Sequence, residues 1–267
     1  MIETFIFMIG TVVGSFLNVC IARLPKSVSI VRPGSACLKC RDPIKFYDNI
    51  PVLSYFWLRG RCRACGGAIS FRYVIIEILG GLSALAVFFS FGLSIASPIY
   101  FALISSLFVA TFIDADCRII PDVITIPGVF VGLAASFFLP RMTFTGSIMG
   151  ALVGGGILYS VAWSYKRIAG IEGMGGGDIK LLAMIGSFTG WKGALFTVFT
   201  ASIIGTLAGF LIMGAEIMKK RTLKGDENRM KLAIPFGPFL SIAAILYIFF
   251  GAKIIDWHLN SFFSLSW

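Results

Sequence analysis

A chain of 267 residues of which 57% are hydrophobic and only 13% charged, with a mean hydropathy of +0.90, is not an ordinary water-soluble globule. Its 23 basic and 13 acidic residues give a net charge of +10, and its single histidine, His258, leaves neither a Ser-His-Asp triad nor an H-E-x-x-H zinc site available. Apolar runs recur from end to end, as in an all-α polytopic membrane protein.

Read between helix breakers, the runs predict about eight membrane spans, most of roughly 17–22 residues: Phe5–Ala22, Val74–Phe91, Ile99–Ile113, Val123–Leu139, Ser147–Trp163, a shorter Leu181–Phe188, Ala194–Met213 and Leu232–Phe250. The first run has no basic leader and continues into Arg23-Leu24-Pro25, so it reads as a retained helix. The sixth is too short to cross alone and continues from a glycine-rich entry. Basic residues orient the bundle, because Lys and Arg concentrate in cytoplasmic loops. Alternate loops carry ten (23–72), one (Arg118), three (Lys166, Arg167, Lys180) and six (219–231), leaving only Arg141, Lys192 and Lys253 on the other face. Both termini are therefore expected outside the cytoplasm. This asymmetry accounts for the positive charge without a nucleic-acid partner; the bilayer itself, with its anionic lipids, is the partner that the charge implies.

After the first span, residues 23–72 are too long for a connector and predict a small cytosolic domain. It holds two C-x2-C pairs, Cys37/Cys40 and Cys62/Cys65, with 21 residues between them. Each pair presents two thiolates from one tight turn, and two such turns close the tetrahedral S4 site that zinc prefers. Gly66-Gly67 suits the close backbone approach of such knuckles. Two disulfides are the alternative, disfavoured on a reducing side. Cys20 reads as a small core hydrophobe.

The chemistry rests on carboxylates. Asp178 follows Gly175-Gly176-Gly177 in GMGGGDIK (173–180), at the mouth of a membrane helix where a charge is expensive and usually functional. A second acidic cluster, IDADCRIIPD (113–122), lies where the third span ends. Asp122 reads as the cap or first-turn acid of the next helix, whereas Asp114 continues the apolar helix and has no such structural role. On a helix extending past Ile113, positions 114 and 116 lie about 200° apart, so only one of them faces the bundle. Two carboxylates that meet across a bundle share one proton; the ionised member activates water and the protonated one polarises the scissile carbonyl. The glycines let an extended substrate backbone come close and admit water. Pro235-Phe236-Gly237-Pro238 breaks the last span beside the same mouth, making Pro235 and Gly237 further substrate-contact candidates.

At these residues the chain resembles the type IV prepilin peptidases, membrane aspartyl proteases of the GxGD kind. Six ordered blocks carry the likeness: GSFLNVCIARLP (14–25), NIPVLSYFWLRGRC (49–62) within the four-cysteine loop, FRYVIIE (71–77), IDADCRIIPD (113–122), GMGGGDIKLLAMIG (173–186) and IPFGPFL (234–240). The resemblance implies a bacterial inner-membrane endopeptidase with Asp114 and Asp178 as its catalytic pair. Such an enzyme cuts the basic leader from prepilins or secretion pseudopilins at the cytosolic face. The four-cysteine loop resembles that of bifunctional members, which also methylate the new N-terminus with S-adenosylmethionine. It divides the chain into a first helix (1–22), a zinc-binding loop domain (23–72) and a transmembrane peptidase core (73–267). No glycine-rich cofactor loop follows a strand; Glu77, an acid at a membrane boundary, is the candidate on the cofactor side, with a first-turn helix acid as the alternative. A proton- or cation-coupled transporter with a regulatory zinc module is the rival class. No inverted repeat supports it, and the acids cluster at the edge of the membrane instead of its midplane.

Overall fold

The computed structural model describes residues 1–140, 142–171, 175–222 and 235–264, with side chains as far as Ile212 and Gly251 in the last two helices. Arg141, Gly173, Met174, the side chains of the basic run 219–231, Lys253, His258 and the expected start of the last span at Leu232 lie outside that description. Among the described residues there are eight α-helices and no β-strand, only two isolated bridges. The helices are α1 (Ile2–Arg23), α2 (Leu53–Trp57), α3 (Arg72–Phe91), α4 (Ala96–Cys117), α5 (Asp122–Ala135), α6 (Phe144–Ala169), α7 (Gly176–Thr222) and α8 (Gly237–Ser264).

Five of them, α1, α3, α4, α6 and α7, are long and apolar enough to cross a membrane, and α5 and the described part of α8 are shorter apolar helices. The chain is an all-α, multi-pass membrane protein with a four-cysteine module. Two differences from the expected spans have local causes. The sixth and seventh spans are joined without a loop, because Gly190 (φ 74°, ψ 177°) alone takes a conformation only glycine adopts freely and kinks α7. The eighth helix begins at Gly237, with Pro238 second, where a missing N–H costs no hydrogen bond.

The chain divides into two compact units, Met1–Ile113 and Asp114–Trp267. In the first, α1 packs along α3 through glycines: a methyl group on Gly10 would lie 2.5 Å from the Gly80 carbonyl, and one on Gly14 2.7 Å from the Glu77 Cα. Such approach lets backbones touch where hydrophobic burial gives no net drive. Val74, Ile76, Ala84 and Val87 of α3 are buried there with Leu17 and Ile21 of α1. In the second unit α6 lies as closely on α7. Gly150 abuts the carbonyl of Gly186, and Gly154 that of Leu182, so these two glycines form the packing surface of α6. Leu181, Leu182, Met184 and Ile185 form the buried face of α7, which also packs on α5 and α8.

Candidate active site and metal centre

Three helix ends meet around Asp114 and Asp178. Helix α4 runs through Ile113 to Cys117, and Arg118 (φ 57°) then turns the chain away, its N–H bonded to the Asp114 carbonyl at 2.8 Å. The unbroken helix separates the acids as its pitch requires: Asp114 is 6% exposed, while Asp116 lies on the exposed side. The Asp114 carboxylate accepts a hydrogen bond from the Gly237 N–H at 2.9 Å, buried from solvent. Gly237 opens α8, where backbone N–H groups have no helical acceptor and the helix dipole favours an anion. No side chain fits at 237, because a Cβ there would stand 2.7 Å from Asp114 Oδ2 and 3.2 Å from Ile120 Cδ1.

Asp178 is the third residue of α7, its N–H directed at the Gly175 carbonyl at 3.3 Å. Its Oδ1 is buried and has no hydrogen-bond partner among the described residues, and the Asp114 charge is near enough to act on it. A buried carboxylate oxygen left unsatisfied costs free energy that folding alone does not recover. The three glycines before it differ. A methyl group on Gly177 would press on Ile120 Cβ at 2.9 Å, so this glycine permits packing; exposed Gly176 faces open space; a Cβ on Gly175 would lie 3.9 Å from Asp178 Oδ2. Pro235, just before α8, is half-buried.

Sequence reasoning missed the pairing of Lys180 with Asp122, whose two carboxylate oxygens each receive its ammonium at 2.7 Å. Asp122 does stand in the first turn of α5, as expected, but caps nothing by its side chain. No local pattern announces a contact across 58 positions.

The cysteine module consists of two matching turns. Cys37 N–H bonds to the Asp42 carbonyl and Arg41 N–H to the Cys37 carbonyl; Cys62 and Gly67, then Gly66 and Cys62, repeat the pattern. The residue after each second cysteine, Arg41 or Gly66, has positive φ, and Gly67 leaves room beside the Cys65 sulfur. The four Sγ atoms lie within 4.8 Å of one another, with Cys37 and Cys65 at 3.9 Å. A tetrahedron with metal–sulfur bonds of about 2.3 Å has edges of about 3.8 Å, so the donor set fits a metal ion. Backbone N–H groups of Cys40 and Lys39 favour the Cys37 thiolate and draw its pKa down to about 6. Asp48, in the short turn Phe46–Asp48 that follows the first knuckle, is tied to Arg63 of the second by a two-pronged ion pair, 2.8 and 2.6 Å, which holds the Asp48 carboxyl below its usual range. No cysteine among the described residues is in a disulfide, and Cys20 is buried in α1 as a small apolar residue.

Glu77 is the sixth residue of α3 and so lies beyond its first turn. Its carboxylate accepts from the Val52 N–H at 2.7 Å and from the Ser15 hydroxyl, tying the module to the α1–α3 pair.

Residues 101–210, which include both aspartates, match the model of the type IV leader peptidase family, and residues 8–91, which include the four cysteines, match the bacterial peptidase A24 N-terminal domain. Prepilin leader peptidase/N-methyltransferase of Pseudomonas putida is 34% identical over 92% of this chain and 90% of its own length. The chain belongs to the type IV leader peptidase family. The proteins of the same name from Aeromonas hydrophila (32% identical, 96% of this chain and 93% of that protein) and Myxococcus xanthus (40%, 78% and 62%) are further relatives. No solved structure matches the chain. As a member of the leader peptidase family with five long apolar helices, it is a multi-pass protein of the inner membrane. Gly237 lies beyond both matched stretches, so the partner of Asp114 comes from the structure alone.

Proposed function

We propose that the chain removes the leader from type IV prepilins or secretion pseudopilins at the cytosolic face of the inner membrane, by an aspartyl dyad of Asp114 and Asp178. The observation that carries this reading is the Asp178 oxygen, buried without a partner and within reach of the Asp114 charge. Such an arrangement is poised to exchange a proton with a neighbouring carboxylate or water. The Gly237 N–H suits an ionised oxygen on Asp114, which then takes a proton from the attacking water, while the shared proton on the Asp178 side meets the scissile carbonyl. Exposed Gly175 and Gly176 leave room for an extended peptide, and Pro235 borders the same opening. Family membership leaves the transporter reading without support.

The names of the relatives favour a second activity, methylation of the new N-terminus with S-adenosylmethionine as donor. With only isolated bridges among the described residues, a strand-to-glycine-loop pocket is not offered for that donor. The metal read from Cys37, Cys40, Cys62 and Cys65 is zinc, holding residues 23–72 folded as a module apart from the peptidase core of 73–267. Glu77, engaged by Val52 and Ser15, serves to hold that module in register with α1 and α3. Co-expression with a prepilin in cells lacking their own peptidase, followed by intact-mass measurement, tests both activities. Loss of the leader and gain of one methyl group are expected; an unchanged precursor refutes the proposal.

A further inference from the structure

Helix α2 presents an apolar stripe to the outside of the cysteine module. Leu53, Phe56 and Trp57 stand at i, i+3 and i+4, one face of a helix, and are 67%, 62% and 83% exposed. A water-facing domain has no reason to display three large apolar side chains together. The opposite side of α2 is fixed: the Tyr55 ring meets Phe71 edge-on at 5.7 Å, just before α3, and Val52, just before α2, bonds to Glu77 on α3. Helix α3 has 20 residues, about the 30 Å that a hydrocarbon core requires, so its first turns mark where the chain enters the bilayer. Helix α2 is held beside those turns.

We infer that α2 is an interfacial anchor: Leu53, Phe56 and Trp57 lie in the headgroup layer of the bilayer, with Arg59 and Arg61 on anionic lipid. The charge fits that occupant. Residues 23–72 carry ten basic side chains against two acidic ones, and Arg59 and Arg61, immediately after α2, are exposed. Basic groups near an anionic surface are attracted to it, and tryptophan favours the interface because its ring is apolar while its N–H needs a polar partner. A folded protein partner is a poorer fit, since stable interfaces take about 800 Å² from each side and a five-residue helix offers a fraction of that. A cationic peptide meets the same excess of positive charge. The module is thus positioned by lipid on one side and by Glu77 and Tyr55 on the other, independently of what the aspartates do.

The test is fluorescence of the full chain with Trp57 as its only tryptophan, the other four being Phe, in phosphatidylcholine vesicles with and without phosphatidylglycerol. Blue-shifted Trp57 emission, lost chiefly to lipids brominated close to the headgroup and little affected by aqueous acrylamide, is expected. Arg59→Glu with Arg61→Glu then reduces that quenching most in the anionic vesicles. Emission quenched by acrylamide and untouched by bromolipid overturns the inference by placing the stripe in water. Emission insensitive to both overturns it by placing the stripe under protein. The difference in quenching between the unaltered chain and Trp57→Phe alone gives the same discrimination without the four replacements.

Discussion

Replacing Gly237 by alanine isolates the positioning of Asp114 from the presence of its carboxylate. The new methyl carbon would stand 2.7 Å from Asp114 Oδ2 and 3.2 Å from its Cγ, so the carboxylate must retreat by roughly half an ångström to reach ordinary contact. That retreat disrupts the 2.9 Å bond from the Gly237 N–H. A hydrogen bond to a charged group contributes about 1.5–3 kcal/mol, which at about 1.4 kcal/mol per decade is a loss of roughly 10- to 150-fold in cleavage. Stability should fall as well, because the folded state loses the same bond and the methyl group crowds Ile120 Cδ1 at 3.2 Å, against only a small gain in helix propensity. Gly156→Ala is the control, since a methyl group there meets nothing within 4 Å. The assay is prepilin cleavage by the purified variant in proteoliposomes, read beside its thermal melt. Wild-type cleavage by Gly237→Ala at an unchanged melting temperature refutes the reasoning, and means that the working enzyme does not use this contact.

Asp114→Asn and Asp178→Asn should each abolish cleavage with normal membrane insertion, while Asp116→Asn and Asp122→Asn retain most of it; an active Asp114→Asn enzyme would overturn the dyad. Gly176→Ala, with open space around it, should raise the substrate KM and leave the melt unchanged, whereas Gly177→Ala should lower stability through Ile120; equal melts and equal kinetics for the two would contradict the distinction. The pH profile of cleavage should be bell-shaped, because a dyad works with one proton shared between its members, and a rate that rises with pH and stays flat would count against a protonated partner. In the cysteine module, the depressed Asp48 carboxyl gives stability that is present above the unfolded value of about 3.9 and lost as pH falls through its folded one. Asp48→Asn should accordingly weaken metal retention at neutral pH, with elemental analysis as the readout, and flatten its acid dependence.

The legible parts of the sequence were those where one residue type has one physical use. The two C-x2-C pairs determine a four-sulfur cluster whatever the intervening chain does, and the apolar runs give the helices because a bilayer admits few other spanning structures. That Asp114 and Asp116 point opposite ways follows from helical pitch, and the choice of Asp114 as the buried one from its place directly after the apolar run. What stayed hidden depends on contacts between distant segments. Gly237 donating to Asp114 bridges 123 positions, Lys180 reaches Asp122 across 58, and Val52 meets Glu77 across 25. Some of the missed packing had a signal: Gly10 and Gly14 stand at the four-residue spacing that lets membrane helices touch, the same device that Gly150 and Gly154 form in α6. The kink at Gly190 had none, since a lone glycine among helix formers is more often tolerated than used.

The position proposed for the dyad follows from what a membrane helix cannot supply in its middle. Within an unbroken helix every backbone N–H is committed to a carbonyl one turn back, so an ionised carboxylate at midplane would find only side chains to stabilise it. Helix starts are the exception, because their first N–H groups are uncommitted and carry the positive end of the dipole. Asp114 sits on the last turn of α4 yet takes its hydrogen bond from the first residue of α8, and Asp178 lies in the first turn of α7. An uncommitted donor thus reaches Asp114, while Asp178 stands at a helix start, where the dipole favours an anion. A lysine does stand two residues from Asp178, but positions 178 and 180 lie about 200° apart on α7 and Lys180 is engaged by Asp122 at 2.7 Å. The exposed Asp122–Lys180 pair therefore stands apart from the chemistry, and Asp122→Ala should retain most of the cleavage, alone or combined with Lys180→Ala. A large loss in the single variant that the added Lys180→Ala restores would show that a freed Lys180 reaches the dyad.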